Sequence, residues 1–280
     1  MILIADSGST KTNWKCTDGA GKVFSAETAG INPYYSTEEE ILKEVSQARI
    51  KLLSNKIGEI YFYGAGCSTD KLKQKVSNGL RSQFQTDIIA VNTDLLGAAR
   101  ALFQHEPGIV CILGTGSGSC IYDGKDITYS IPSLGFILGD EGSGAYLGKL
   151  FVRDYLRGDM PGDLLKVAND ELGINKEIVL KNVNQNAMPS RYLAEFSKFI
   201  YKKVDHPYMH DLVFNGFMEF INEYVIRYEN YKNYKIGFIG SIADRYQDIL
   251  KEVLDSKEIV LGRIDKDPII GLVEYHLSKE

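Results

Sequence analysis

The sequence predicts an α/β protein built from two related units, each a mixed sheet with helices on its faces. Three observations carry this. Short apolar runs alternate with helical patterns along most of the chain. One arrangement occurs twice, at residues 2–19 and 109–124: apolar strand, Gly/Ser/Thr turn, strand, Asp-Gly turn. A mostly helical stretch, residues 142–228, then separates the second copy from a final strand–helix–strand–helix series.

Taken in order, residues 2–6, 12–17 and 22–29 read as three strands joined by tight turns. Thr37 followed by Glu40 predicts a capping box, opening a helix to about Asn55. Residues 59–63 form a buried strand ending in Gly64-Ala65-Gly66, and 69–84 form a helix. Residues 88–92 are a strand ending at Thr93-Asp94, and 95–103 a helix. Pro107-Gly108 breaks the chain, dividing it into lobes 1–106 and 107–280. Strand 109–113 and strand 120–122 flank the turn Gly114-Thr115-Gly116-Ser117-Gly118-Ser119. The helical insertion is broken at Pro161-Gly162, Met188-Pro189-Ser190 and His206-Pro207. Residues 235–239 are a strand closed by Gly240-Ser241. Helix 243–254, short strand 258–261 and helix 268–278 follow, the last free to return to the first lobe.

The 280 residues are 44% apolar and 25% charged, as in an ordinary soluble domain, and a chain this long can bury a sizeable core. Net charge is −5, with no basic run, which argues against nucleic-acid and anionic-membrane partners. No basic leader with an apolar core is seen, so no signal peptide is expected. No apolar segment approaches the roughly 18 residues that span a bilayer. Cys16, Cys67, Cys111 and Cys120 form no C-x-x-C pair, so buried thiols in a reducing cytoplasm are expected rather than a metal site.

The chemistry concentrates where strands end. Glycine turns at 8–11 and 114–118 can expose backbone N–H groups to an anion, and Ser7, Ser9 and Thr10 add hydroxyl donors. Each turn alone reads as a hairpin; the pair suits a nucleoside triphosphate. Neither fits the P-loop or dinucleotide pattern, because strand follows turn. Asp6 either holds Mg²⁺ through its water shell or caps the turn. Lys11 faces phosphate or water. Asp94 either caps a helix or serves as a general base toward an attacking hydroxyl. In "SLGFILGDEGSGAYLGK", residues 133–149, the acid pair Asp140-Glu141 lines a pocket, or Asp140 or Ser143 caps the next helix. Gly240-Ser241 lets a flat ring approach the backbone, or is a plain strand–helix loop.

Together, "LIADSGSTKTNW", "TAGINP", "VNTDLLGAA", "CILGTGSGSC", "GFILGDEGSGAYLGK" and "GFIGSIA" resemble the sugar kinase/Hsp70/actin superfamily. Within it they are most similar to the BadF/BadG/BcrA/BcrD-type ATPase family and its N-acetylglucosamine kinases. The resemblance implies two ribonuclease-H-like (actin-like ATPase) lobes around a nucleotide cleft, with ATP and Mg²⁺ as cofactors. It implies that Gly8, Ser9, Thr10 and Lys11 form one phosphate loop, with Asp6 near the metal. Gly114, Thr115, Gly116 and Ser117 would form the other, and Gly240 and Ser241 the adenosine turn. Asp94 matches the catalytic aspartate. Asn32, Gly66, Asp94, Gly118 and Asp140 fall on the sugar side. The implied reaction is phosphorylation of an amino sugar, N-acetylglucosamine to its 6-phosphate.

Some positions depart from that pattern. Gly118 stands near a place where mammalian N-acetylglucosamine kinases carry Asn, and Phe136 stands where Trp is common. The zinc cysteine cluster of the ROK sugar kinases is absent from the sequence. Two alternatives remain: an ATPase that switches a partner protein, as the family's iron–sulfur dehydratase activators do, and a nucleotide-binding regulator. Cys111 and Cys120 lie in the hairpin around the second turn, poorly placed for a cluster. The tyrosine-rich region 192–234 reads as helical core and surface, with a homodimer interface as the alternative.

Overall fold

Each half of the chain folds around a five-stranded mixed sheet. The computed structural model describes residues 1–8, 10–52 and 56–278; Ser9, within the first glycine turn, and the expected helix end near Asn55 lie outside the described residues. Residues 1–106, 122–127 and 267 onward make one compact unit, and residues 107–121 and 128–266 the other.

The first unit begins with strands β1 (Ile2–Ser7), β2 (Lys11–Thr17) and β3 (Val23–Ala29). Helix α1 (Glu38–Lys51), β4 (Glu59–Gly64), α2 (Asp70–Gln83), β5 (Ile88–Thr93) and α3 (Asp94–Phe103) follow. The sheet order is β3-β2-β1-β4-β5. β2 runs antiparallel to β1 and β3, and β1, β4 and β5 run parallel. α1 starts at the capping box: Thr37 Oγ1 accepts from Glu40 N–H, and the Glu40 carboxylate accepts from Thr37 N–H.

Alternation along β1 sorts its side chains by face. Leu3 and Ala5 join Trp14, Ile41, Val45, Phe62, Val76 and Leu80 in one core under α1 and α2. Ile4 and Asp6 point the other way, in register with Tyr61 and Tyr63 on β4. That second face is covered by α3 and by the last helix of the chain, α13, described below.

The second unit holds β6 (Gly108–Leu113), β7 (Ser117–Tyr122) and β8 (Ile127–Tyr129), with the Tyr122–Ile127 turn grouped with the first unit. Seven helices come next: α4 (Gly135–Leu138), α5 (Gly144–Arg157), α6 (Gly162–Leu172), α7 (Lys176–Gln185), α8 (Pro189–Glu195), α9 (Ser197–Lys202) and α10 (Pro207–Phe220). Pro189 and Pro207 sit in the first turns of α8 and α10, where a missing N–H costs nothing. β9 (Ile236–Ile239), α11 (Ser241–Arg245), α12 (Gln247–Ser256) and β10 (Leu261–Asp265) complete it. α13 (Ile269–Leu277) belongs to the first unit.

The second sheet has the order β10-β9-β6-β7-β8. Read from the other edge, it repeats the neighbour relations of the first sheet. Its core gathers Phe151, Phe196, Phe199, Phe217, Phe220 and Phe238 from the insertion and the sheet. Tyr224 and Tyr228 are buried in that core.

One strand departs from expectation. The last strand is Leu261–Asp265, not 258–261. Glu258 adopts φ +55, and Ile259 N–H bonds back to Leu254 C=O, so the end of α12 turns left-handed where extended chain was expected. No described helix is long and apolar enough to cross a membrane.

Candidate active site

In the first unit, three carboxylates gather on the face of the sheet that α3 and α13 cover. Asp6 is the penultimate residue of β1, and Asp94 opens α3 one residue past the end of β5. Asp267 precedes α13. Burial, and after it the charges of Asp267 and Asp94, push the Asp6 carboxyl from its ordinary 3.8 up to about 7. The Asn13 side chain, in register with Asp6 on β2, and Lys11 oppose that rise.

The cap of α3 is Thr93, whose Oγ1 accepts from Leu96 N–H at 3.2 Å. Asp94 therefore sits one position inside the helix. Its Oδ1 accepts from Leu95 N–H at 2.9 Å, and burial raises its carboxyl above the usual range.

The raised Asp6 carboxyl has a consequence for stability. Between pH about 4 and about 7 the folded protein keeps a proton there that the unfolded chain has released. Stability of the metal-free protein therefore falls as pH rises through that window. Urea unfolding at a series of pH values should show the decline, and Asp6→Asn should flatten it. An equal decline in the variant would assign the effect elsewhere.

Ser7 does not add a phosphate donor. It is buried, and its hydroxyl lies 2.7 Å from Thr12 Oγ1, donates to Ile31 C=O and accepts from Ile31 N–H. It ties the loop carrying Asn32 to β1. Gly8 has an open surface, with only Lys11 C=O, at 3.9 Å, near the position of a Cβ. Thr10 is exposed. Lys11 Nζ pairs with Glu27 at 3.2 Å on the exposed side of the β2–β3 hairpin.

Asn32 and Gly66 meet. Asn32 Oδ1 accepts from Tyr34 N–H at 3.0 Å, fixing the side chain in a turn. Gly66 has φ +80, and a Cβ there would lie 2.0 Å from Asn32 Oδ1. Gly66→Ala must therefore displace Asn32. If Asn32 binds substrate, KM for the acceptor should rise about tenfold or more with little change in KM for ATP. Equal changes in both constants would contradict that placement.

In the second unit, the turn Gly114–Ser117 is held from behind by the Asp140 segment. Asp140 has φ +59 and is buried. Its Oδ1 accepts from Ser117 N–H at 3.2 Å and from Ser133 Oγ at 3.3 Å, while Oδ2 lies against Gly116. Burial raises its carboxyl. Ser143 is the cap of α5, accepting from Tyr146 N–H. Gly144 N–H and Ala145 N–H donate to the carbonyls of Gly114 and Thr115, at 2.8 and 3.1 Å. The start of α5 thus grips the turn itself.

Gly114 and Gly118 have nothing within 4 Å of the position of a Cβ, which leaves the backbone open to a ligand. Ser117 is buried. Gly240 closes on the same turn: at φ +125, a Cβ would lie 2.3 Å from Leu113 C=O and 3.2 Å from Gly114 N. Ser241 opens α11 and is exposed.

All four cysteines are buried and outside any disulfide, and burial drives the Cys111 thiol well above its ordinary value. Burial of this kind makes a thiol a poor nucleophile. Asp267 is the site residue that sequence reasoning missed. Asp267-Pro268 ahead of an apolar helix repeats the acid-before-helix signal used for Asp94.

The pattern characteristic of the BadF/BadG/BcrA/BcrD ATPase family matches residues 5–160. The chain belongs to that family. A Porphyromonas gingivalis protein with an inferred N-acetylglucosamine kinase assignment is 40% identical, with a TM-score of 0.92 over 100% of this chain and 99% of that one. The N-acetyl-D-glucosamine kinase of Dictyostelium discoideum is 26% identical over 197 residues, covering 63% of this chain. The match spans 62% of that curated relative's length. A ROK family glucokinase from Streptomyces griseus, solved with glucose and AMPPNP, shares the fold at 16% identity, with a TM-score of 0.56 over 98% of this chain and 97% of that one. The BadF/BadG/BcrA/BcrD member described here is thus an α/β protein of two ribonuclease-H-like, actin-like ATPase lobes, with a helical insertion in the second.

Proposed function

We propose that this family member is an ATP-dependent kinase acting on a hydroxyl of an amino sugar, with the 6-hydroxyl of N-acetylglucosamine as its acceptor. The observation that carries the reading is Asp94. It stands at the carboxyl end of a parallel strand, released from capping by Thr93, with its carboxyl raised by burial. A raised carboxylate is a better base near neutral pH. The Asn32–Gly66 contact in the same unit supplies a shaped polar surface for a sugar. The Porphyromonas and Dictyostelium relatives support the substrate class.

In this reading Asp94 orients the sugar hydroxyl and takes its proton as the γ-phosphoryl group transfers. Phosphoryl transfer asks chiefly for positioning and charge neutralisation. Within its own unit, each of Gly8 and Gly114 leaves the backbone open to a phosphate oxygen, and Thr10 and Lys11 in the first unit and Thr115, Gly116 and Ser117 in the second take the same role in this reading. Lys11 would exchange Glu27 for phosphate. Gly240 and Ser241 receive the adenosine. Gly118 and Asp140 take the sugar side, with Asp140 also holding the second turn.

The residues fit Mg²⁺. Asp6 is a hard oxygen donor whose carboxyl is pushed up by burial and then by two neighbouring acids, and a divalent cation would offset both. Among the described residues no group of three or more His, Cys, Asp and Glu stands ready to enclose a metal. Bound there, Mg²⁺ would neutralise phosphate charge. ATP as donor and four cysteines outside any disulfide support a cytoplasmic setting for this reaction.

The test is coupled ADP release with N-acetylglucosamine, glucosamine, N-acetylmannosamine, N-acetylmuramic acid and glucose. Sugar-dependent release, largest with N-acetylglucosamine, is expected. Release that no sugar increases would favour a partner-switching ATPase.

A further inference from the structure

Helix α3 carries Asp94 on its first turn, and a buried polar bracket holds that helix against the sheet. Tyr63 on β4 lies in register with Asp6 on β1 and Asn92 on β5. Its ring is the floor beneath Gly97: a Cβ at Gly97 would come within 2.8 Å of Tyr63 Cβ. Gly97 is about one helical turn beyond Asp94. The depth of the turn that carries the carboxylate is therefore set by contact with Tyr63.

The Tyr63 hydroxyl fixes two further residues. Arg100 Nη1 donates to Tyr63 Oη at 2.9 Å, and Tyr63 Oη lies 2.8 Å from His276 Nε2 on α13. Arginine can only donate, so the phenol oxygen accepts from Arg100 while it also hydrogen-bonds His276. His276 Nε2 is thus the second hydrogen-bond partner of the phenol, on an element far from Arg100 in sequence. Tyr61 stacks on that ring at 3.7 Å between centroids. The Arg100 guanidinium also lies over the Tyr275 ring, 5.0 Å from its centre.

α13 presses on α3 at the next turn. A Cβ at Gly271 would come within 2.5 Å of Ala101 C=O, and Gln104 Nε2 donates to both Ala101 and Gly271 carbonyls at 3.1 Å. Three elements distant in sequence thus meet in one hydrogen-bonded relay of Arg100, Tyr63 and His276. Apolar side chains would fill this volume without the desolvation cost of polar groups. What the relay adds is a single allowed geometry.

We propose that Tyr63, Arg100 and His276 are positioning residues that set the depth and rotation of α3, and through it the place of the Asp94 carboxylate. The catalytic consequence rests on Asp94 being the base; the bracing of α3 does not.

Tyr63→Phe, His276→Leu and His276→Gln test this, read by steady-state kinetics and by amide hydrogen exchange over residues 94–103. Tyr63→Phe and His276→Leu should each lower kcat about tenfold, keep both KM values within about twofold, and speed exchange in α3. His276→Gln keeps a hydrogen-bonding partner for the phenol and should recover most of kcat and protection. A merely structural role would lower stability in all three without separating kcat from KM. Should Tyr63→Phe fail to fold, the His276 pair carries the comparison. Wild-type kcat and exchange in His276→Leu would overturn the proposal. If the wild-type protein phosphorylates no sugar, the kinase reading falls; unchanged exchange across α3 would then still refute the bracket, and faster exchange support it.

Discussion

Asp94→Asn is expected to bind N-acetylglucosamine and ATP almost as the wild type does, and to lose about 10²-fold or more in kcat. The substitution is nearly isosteric. Thr93 still caps α3, and an asparagine Oδ1 can still accept from Leu95 N–H. The fold therefore has little reason to change. What disappears is the carboxylate that takes the hydroxyl proton. The exchange also removes one of the two acidic neighbours that raise Asp6, so the Asp6 carboxyl should move back toward its ordinary range. Steady-state kinetics together with calorimetric sugar binding separate these effects. Near wild-type turnover would remove Asp94 as the base.

Gly240→Ala is expected to destabilise the second unit by about 3 kcal/mol and to abolish most ATP affinity. Two independent costs act at one residue. The backbone at φ +125 lies where L side chains rarely go. The new Cβ would also meet Leu113 C=O and Gly114 N, which are backbone and cannot rotate aside. Relief must come from moving the end of β6 and the first residue of the phosphate turn. Thermal melting and nucleotide titration measure the two losses. Ser241→Ala, on an exposed neighbour, should stay within about 0.5 kcal/mol of wild type. Comparable melting of both variants would mean that Gly240 does not brace the turn.

What the sequence revealed, and what it concealed, divides by distance along the chain. The capping box at Thr37 and Glu40 was legible because all its atoms lie within four residues. The paired glycine turns were legible for the same reason. At Thr93-Asp94, two good capping residues stand side by side, and only the backbone shows which one caps. Ser7 looked like a ligand donor, since nothing local shows that Ile31 and Thr12 will engage it. Asp140 was visible as an acid between glycines. Its grip on Ser117 N–H joins residues 23 apart and requires a left-handed backbone at a non-glycine residue. The last helix concealed most. Asp267 and His276 reach Asp6 and Tyr63 only because α13 leaves the second unit's sequence and packs beside β1 and α3. No period or motif in the chain encodes that return.

The central claim is that this BadF/BadG/BcrA/BcrD family member transfers phosphate from ATP to an amino-sugar hydroxyl. Phosphorus NMR of a reaction containing ATP, Mg²⁺ and N-acetylglucosamine tests it most directly. The account predicts one new phosphomonoester per ADP, coupled to the two C6 protons, with almost no inorganic phosphate. ADP accompanied by an equal amount of inorganic phosphate, and no ester, would contradict it.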